Sequence, residues 1–140
     1  MWVTIRDNAF GGRKAFEQAV SRAQRGKVKG FLTGSPRRLR SLEGYHNSDR
    51  YLGMVEVPLD QICGTDGRQN DFDIDFNPLR KESRDQWVGV FNAWYRGVPL
   101  SPVQLVKVGD IYYVRDGHHR ISVARAMGMS SIEAEVTVQS

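Results

Sequence analysis

Apolar positions first recur with a helical period in "FGGRKAFEQAVSRAQRG", where Phe16, Ala19, Val20 and Ala23 stand at i, i+3, i+4 and i+7. That spacing predicts an amphipathic helix, with Gly26 as its stop. Arg13, Lys14, Arg22 and Arg25 lie largely off the apolar stripe. The next stretch, "TGSPRRLRSLEGYHNSDRYLG", is rich in turn formers and has no period, so it predicts a loop or arm. In "MVEVPLDQI", Val55, Val57 and Leu59 alternate with Glu56 and Pro58, which predicts a strand whose proline sits near an edge or an end. "GTDGRQN" is expected to be a loop.

Further on, "DFDIDF" alternates acids with Phe72, Ile74 and Phe76, and an extended segment with its apolar side inserted is expected. Asp71, Asp73, Asp75 and Asn77 share the spacing of a calcium loop. The sixth position is Phe76 where such a loop needs glycine, and Pro78 stiffens its middle, so calcium is rejected. In "SRDQWVGVFNAWYRG", Ser83 and Gln86 fit a capping box, Trp87, Val90, Phe91 and Trp94 form a core stripe, and Gly97 ends the helix. Two strands follow across a Gly109-Asp110 turn, then a helix from about His118 to Met127 stopped by Gly128. In the final strand Ile132, Ala134, Val136 and Val138 share one face. From residue 54 the order is strand, helix, strand, strand, helix, strand. The pattern predicts an α+β fold, a small mixed sheet packed by helices, with an N-terminal helical extension. Residues 1–50 are expected to form a basic arm and residues 51–140 the domain.

Composition changes this picture at two points. The chain has 140 residues, 40% hydrophobic and 26% charged, which fits one globular domain. No stretch approaches the roughly 20 apolar residues of a membrane helix, and the opening "MWVTIRDNAF" lacks an apolar signal core. With Cys63 alone, an internal disulfide is excluded and a cytoplasmic, non-membrane protein is the expectation. The second point is charge. The formal net charge of +4 conceals ten Lys and Arg against Asp7 and Glu17 in residues 1–40. The rest of the chain carries ten basic residues against fourteen acids. A basic arm on a mildly acidic body suggests a polyanion as partner, against the plainer reading of a solvated basic helix.

The candidate chemistry lies in "IYYVRDGHHRISVARAMG", where a strand runs through Asp116-Gly117 directly into a helix. The first N–H groups of a helix lack partners and carry partial positive charge, so a glycine that admits a ligand there makes an anion site. Asp116 is expected to cap the helix from near His119. His118, His119 and Arg120 then fall in the first turn, three potential cations opposed to the helix dipole, and a phosphate between them would relieve the conflict. Two plainer readings stay open. Either histidine can be a satisfied structural residue, and Arg120 can pair with Asp116 or Asp110. No metal site is expected, since adjacent helical residues point about 100° apart.

The segment "PVQLVKVGDIYYVRDGHHRISVARAMGMSSIEAEV" resembles the ParB/sulfiredoxin superfamily, whose members carry a G-x-x-R turn at the start of a helix. "VEVPLDQI" and "NPLR" are similar to the family's opening strand and to the basic segment after it. The resemblance spans roughly residues 54–138. It implies a ParB-like nucleotide-binding fold in which Gly117 and Arg120 hold nucleotide phosphates, His119 stands at a phosphate-binding position and Arg80 reaches the same phosphates. His118 occupies the place of the sulfiredoxin cysteine, so sulfiredoxin activity is not expected. A nucleoside triphosphate with magnesium is the implied ligand and an NTPase or phosphotransferase the implied activity, with Asp116 and His118 as candidate catalytic residues and Glu56 as a further acid. The alternative is a DNA-associated protein or ParB-like nuclease using residues 1–50. The third option is a toxin–antitoxin or phage-type accessory protein that uses the fold only for protein contacts, with exposed aromatics leaving room for a homodimer face.

Overall fold

The computed structural model describes all residues except 1–4, 35–36, 43–48, 69 and 140, and the side chains from Gly11 onward. It begins with a long helix, α1 (Ile5–Thr33), followed by β1 (Arg40–Ser41), β2 (Asp49–Pro58) and β3 (Ile62–Thr65). Then come α2 (Arg84–Tyr95), β4 (Val103–Val108), β5 (Ile111–Asp116), α3 (His118–Ala126) and β6 (Ser131–Gln139). The six strands make one mixed sheet in the order β1-β3-β5-β4-β6-β2. Pairing is parallel for β1–β3, β3–β5 and β4–β6, and antiparallel for β4–β5 and β2–β6. The α+β class expected from the pattern is therefore the class observed.

The main core lies between one face of the sheet and α3. Val57, Val103, Leu105, Val114, Ala134 and Val136 meet Ile121 and Ala124 there, with Phe72 and Phe76 closing one side. A second cluster joins the three helices. Trp87 is fully buried among Phe16, Ala19 and Val123, edge-on to Phe16 at 5.6 Å, and its indole N–H donates to Ser122 Oγ at 2.8 Å. Both short helices end as the glycine signals require. Gly97 and Gly128 are left-handed, and the amides of Val98 and Met129 reach back to the carbonyls of Ala93 and Ala124.

Several local expectations are corrected. Gly26 does not stop α1; it is buried, and a side chain there would collide with Arg37, Nε of which lies 2.7 Å from the Cβ position. Together with Gly12, Phe16, Ala19, Ala23 and Gly30 it forms a narrow small-residue face, so the glycine serves close packing rather than termination. β3 takes in Gly64 and Thr65, and Arg40–Ser41 forms another strand, where loops are expected. Both are too short to show a period of their own. Residues 43–48 of the expected loop lie outside the described residues. The Ser83–Gln86 capping box is absent: Ser83 ends a 3₁₀ turn and its hydroxyl donates to the Arg80 carbonyl at 2.8 Å. Pro58 does end an edge strand, β2, in keeping with its missing donor.

The aspartate-rich stretch is a tight hairpin rather than an extended segment. Asp73 is buried, and its Oδ1 accepts the backbone amides of Asp75 and Asn77, each at 2.9 Å. This holds Phe76 at a φ of 59°, a left-handed value that the sequence pattern assigns to glycine. Burial of the Phe76 ring offsets the backbone cost.

Gly64 tests the parallel pairing of β1, β3 and β5. A Cβ there would stand 2.6 Å from the Arg40 carbonyl oxygen and against the Tyr113 ring. Gly64→Ala is expected to lower stability by about 1–3 kcal/mol, read as a lower urea midpoint; an unchanged midpoint would show that the sheet accommodates a side chain there.

Candidate functional site

The strand-to-helix junction owes its shape to Gly117. Its φ of 106° and ψ of 26° place it in the left-handed region at the N-cap of α3. A Cβ at this position would meet Val103 Cγ1 at 2.5 Å. Only glycine fits both the dihedral and the contact. Asp116 does not cap the helix: α3 has no side-chain cap, and the Asp116 carboxylate instead takes the Arg120 guanidinium at 3.1 Å. A left-handed N-cap turns the backbone so that this carboxylate lies beside the helix and not over its end. The first-turn amides of α3 are left without a capping side chain, as an anion site requires.

The two histidines behave differently from a pair of cations. His118 is 3% exposed, stacks on Phe72 with ring centroids 6.0 Å apart, and brings Nε2 to 2.6 Å from Thr65 Oγ1. Burial, followed by the charges of Arg68 and His119, lowers its pKa from 6.5 to about 4. The Thr65 oxygen also accepts the Arg68 backbone amide at 3.1 Å, so the hydroxyl hydrogen is free for the neutral imidazole. His119 packs edge-on against Phe72 at 5.4 Å, and its pKa is likewise lowered by burial and by Arg68. Among the described residues, His119 Nε2 is buried without a hydrogen-bond partner, and so is Arg120 Nε.

Positive charge comes from arginines instead. Arg68 and Arg80 share Asp71, at 2.8 and 3.1 Å, and Arg115 pairs with Asp66 at 3.2 Å. Through Asp71, Arg80 is tied to the same loop as Arg68, whose charge acts on both histidines. The structure thus gathers Asp116, Gly117, His118, His119 and Arg120 at one junction, with Arg80 reaching the same loop by way of Asp71. Glu56 is elsewhere: β2 is the far edge strand, three positions from β5, and Glu56 accepts from Ser131 at 2.9 Å. Cys63 bonds back to the Asp60 carbonyl at 3.7 Å.

Thr65, Arg68, Asp71 and Phe72 are site residues that the sequence pattern does not reveal. They precede the junction by some fifty positions and reach it only because β3 lies parallel to β5. The one local signal is "TDGR", a turn-forming pair with a basic residue directly after a strand. Among the described residues no group of three or more His, Cys, Asp and Glu stands close enough to hold a metal ion. No described helix is long and apolar enough to cross a membrane.

No family model matches the sequence, and no curated protein matches it. Among solved structures, the chain is similar to the crystal structure of sulfiredoxin from Arabidopsis thaliana. The TM-score is 0.45 at 19% identity, over 59% of this chain and 82% of that chain.

The depressed pKa of His118 makes stability depend on pH with a definite sign. Between about pH 4 and 6.5 the unfolded chain binds a proton that the folded chain refuses, so stability rises with pH across that window and is complete above it. The size is on the order of 3 kcal/mol, from 1.36 kcal/mol per pKa unit. Urea unfolding at several pH values is expected to show this slope, and His118→Gln to flatten it. An equal slope in the variant would place the titration on another group.

Proposed function

We propose that the junction at residues 116–120 binds the phosphates of a nucleotide, with Gly117, His119 and Arg120 as the cradle and Arg68 and Arg80 at its rim. The observation that carries this reading is a pair of buried nitrogens, His119 Nε2 and Arg120 Nε, that have no partner among the described residues and lie beside an uncapped helix start. Buried polar groups without partners are costly, and a phosphate oxygen would satisfy both. Arginine supplies a planar fork of donors whose charge does not depend on pH. A neutral His119 adds an N–H donor. The Arg68–Asp71 and Arg120–Asp116 pairs are partly exposed, so an incoming anion can exchange with the carboxylates at little cost.

Within this reading His118 is a positioning residue, since its ring is held by Thr65 and Phe72. Asp116, with a side chain 68% exposed at the rim, takes the role of base or of magnesium partner. A magnesium ion would arrive with the nucleotide and be held mainly by phosphate and water. Phosphoryl transfer, as NTPase or phosphotransferase, is the reaction such a set would serve, because it depends on positioning and charge neutralisation.

A second reading, a DNA-associated protein, is favoured by one observation. Arg13, Lys14, Arg25, Lys27 and Lys29 are all exposed on α1, next to the single described acid of that helix, Glu17. Such a face attracts phosphate backbones by counterion release.

Thermal shift and calorimetry with ATP, CTP and ADP plus magnesium test the first reading. A raised melting temperature is expected with at least one of them. Arg120→Ala is expected to weaken binding by roughly 10- to 100-fold, the cost of a charged hydrogen bond. No binding by any nucleotide, or equal binding in the variant, would remove the junction from consideration.

A further inference from the structure

We propose that the cavity beside the C-terminal half of α1 is a binding site for single-stranded nucleic acid, in which Phe31 stacks on a base and Lys27 and Arg38 hold the flanking phosphates. This rests on the nucleic-acid reading of α1 and gives it a place and a substrate class. The cavity measures about 530 Å³ and lies between α1 and the hairpin that holds Asp73. Lys27, Phe31, Arg37, Arg38, Asn70 and Leu79 contribute to its lining. It is separate from the phosphate cradle, which shares none of these residues.

Its chemistry selects the occupant. Phe31 is 87% exposed, with Val28 at 60% and Leu32 at 76% beside it on the same turns. An aromatic ring left in water at the mouth of a cavity lined by cations is the arrangement that binds unpaired bases: the ring offers a stacking surface and the cations follow the backbone. An apolar protein partner fits less well, because it would have to desolvate Lys27 and Arg38, both exposed and lining the same cavity. The acids nearby do not cancel this charge. Asp73 also lines the cavity, but Oδ1 takes two backbone amides and Oδ2 takes the Asn77 side chain at 3.2 Å. Asp75 is paired with Arg37 and stands 3.6 Å from Arg125. Asn70 supplies an amide that can donate to and accept from a base edge. A duplex keeps its bases stacked on one another, so only a single strand can use the Phe31 ring.

Fluorescence anisotropy with a labelled oligothymidylate of about 12 nucleotides, a length spanning the usual single-strand site sizes, provides the test. The full chain is expected to bind it with an affinity that falls steeply with salt, and more tightly than a hairpin duplex of the same charge. Phe31→Ala is expected to weaken single-strand binding by roughly 5- to 100-fold, the range for loss of one stacked base. Lys27→Ala with Arg38→Ala is expected to reduce the salt slope by about 1.4. Phe31 is so exposed that its variant keeps the wild-type melting temperature, and it keeps any nucleotide-induced thermal shift. If Phe31→Ala binds the oligonucleotide as well as the wild type, or the duplex binds equally tightly, the cavity assignment is overturned while a general basic face survives. If no nucleic acid binds at all, the assignment and the reading beneath it fail together. A size shift on a column that Phe31→Ala abolishes, with no oligonucleotide binding, marks the tip as a protein contact and overturns the proposal too.

Discussion

Thr65 and His118 meet at 2.6 Å inside the protein, and much of the site depends on that contact. Thr65 ends β3 and His118 begins α3, so the bond fixes the parallel strand against the first turn of the helix. The same threonine oxygen takes the Arg68 amide, which sets the direction of the loop leaving β3. Phe72 lies flat on the His118 ring and edge-on to His119, so the next hairpin is positioned by the same histidine. The ring at this contact is kept neutral, since charging it in a low-dielectric interior is costly. Burial and the neighbouring arginine both push in that direction.

The hairpin from Asp71 to Leu79 connects this centre to the rest of the molecule. Asp73 spends its carboxylate on the turn, Phe76 accepts a left-handed backbone, and the Leu79 amide closes back on the Asp71 carbonyl at 2.9 Å. What remains outside is Asp71, clamped between Arg68 and Arg80, and Asp75, beside Arg37 and Arg125. Acids that look like a ligand set in the sequence are therefore divided between turn closure and charge pairing. One face of the hairpin bears on the histidines, and residues of its other side line the cavity beside α1.

Charge at the junction is arranged differently from what three adjacent basic residues suggest. The histidines are held neutral by burial, while the fixed cations are arginines. Arg120, the local one, is held by Asp116, and Arg68 and Arg80 by Asp71. Among the described residues, His119 Nε2 and Arg120 Nε are the junction nitrogens left buried without a partner.

The sequence by itself determined what short-range physics controls. Helical period found the stripes Phe16–Ala23 and Trp87–Trp94, glycine marked the ends of α2 and α3, and Gly109-Asp110 joined β4 to β5. The junction at Asp116–Arg120 was readable for the same reason: a strand, a glycine and a helix start follow one another along the chain. Tertiary structure decided the rest. Gly26 stays inside α1 because Arg37 packs against it, and β3 and β1 exist because neighbouring strands supply their hydrogen bonds. The neutrality of His118, and the arrival of Thr65, Arg68 and Phe72 beside it, follow from burial and parallel pairing across some fifty residues. Periodicity carries no record of such distances, because they are set by which surfaces exclude water together and not by the order of residues along the chain.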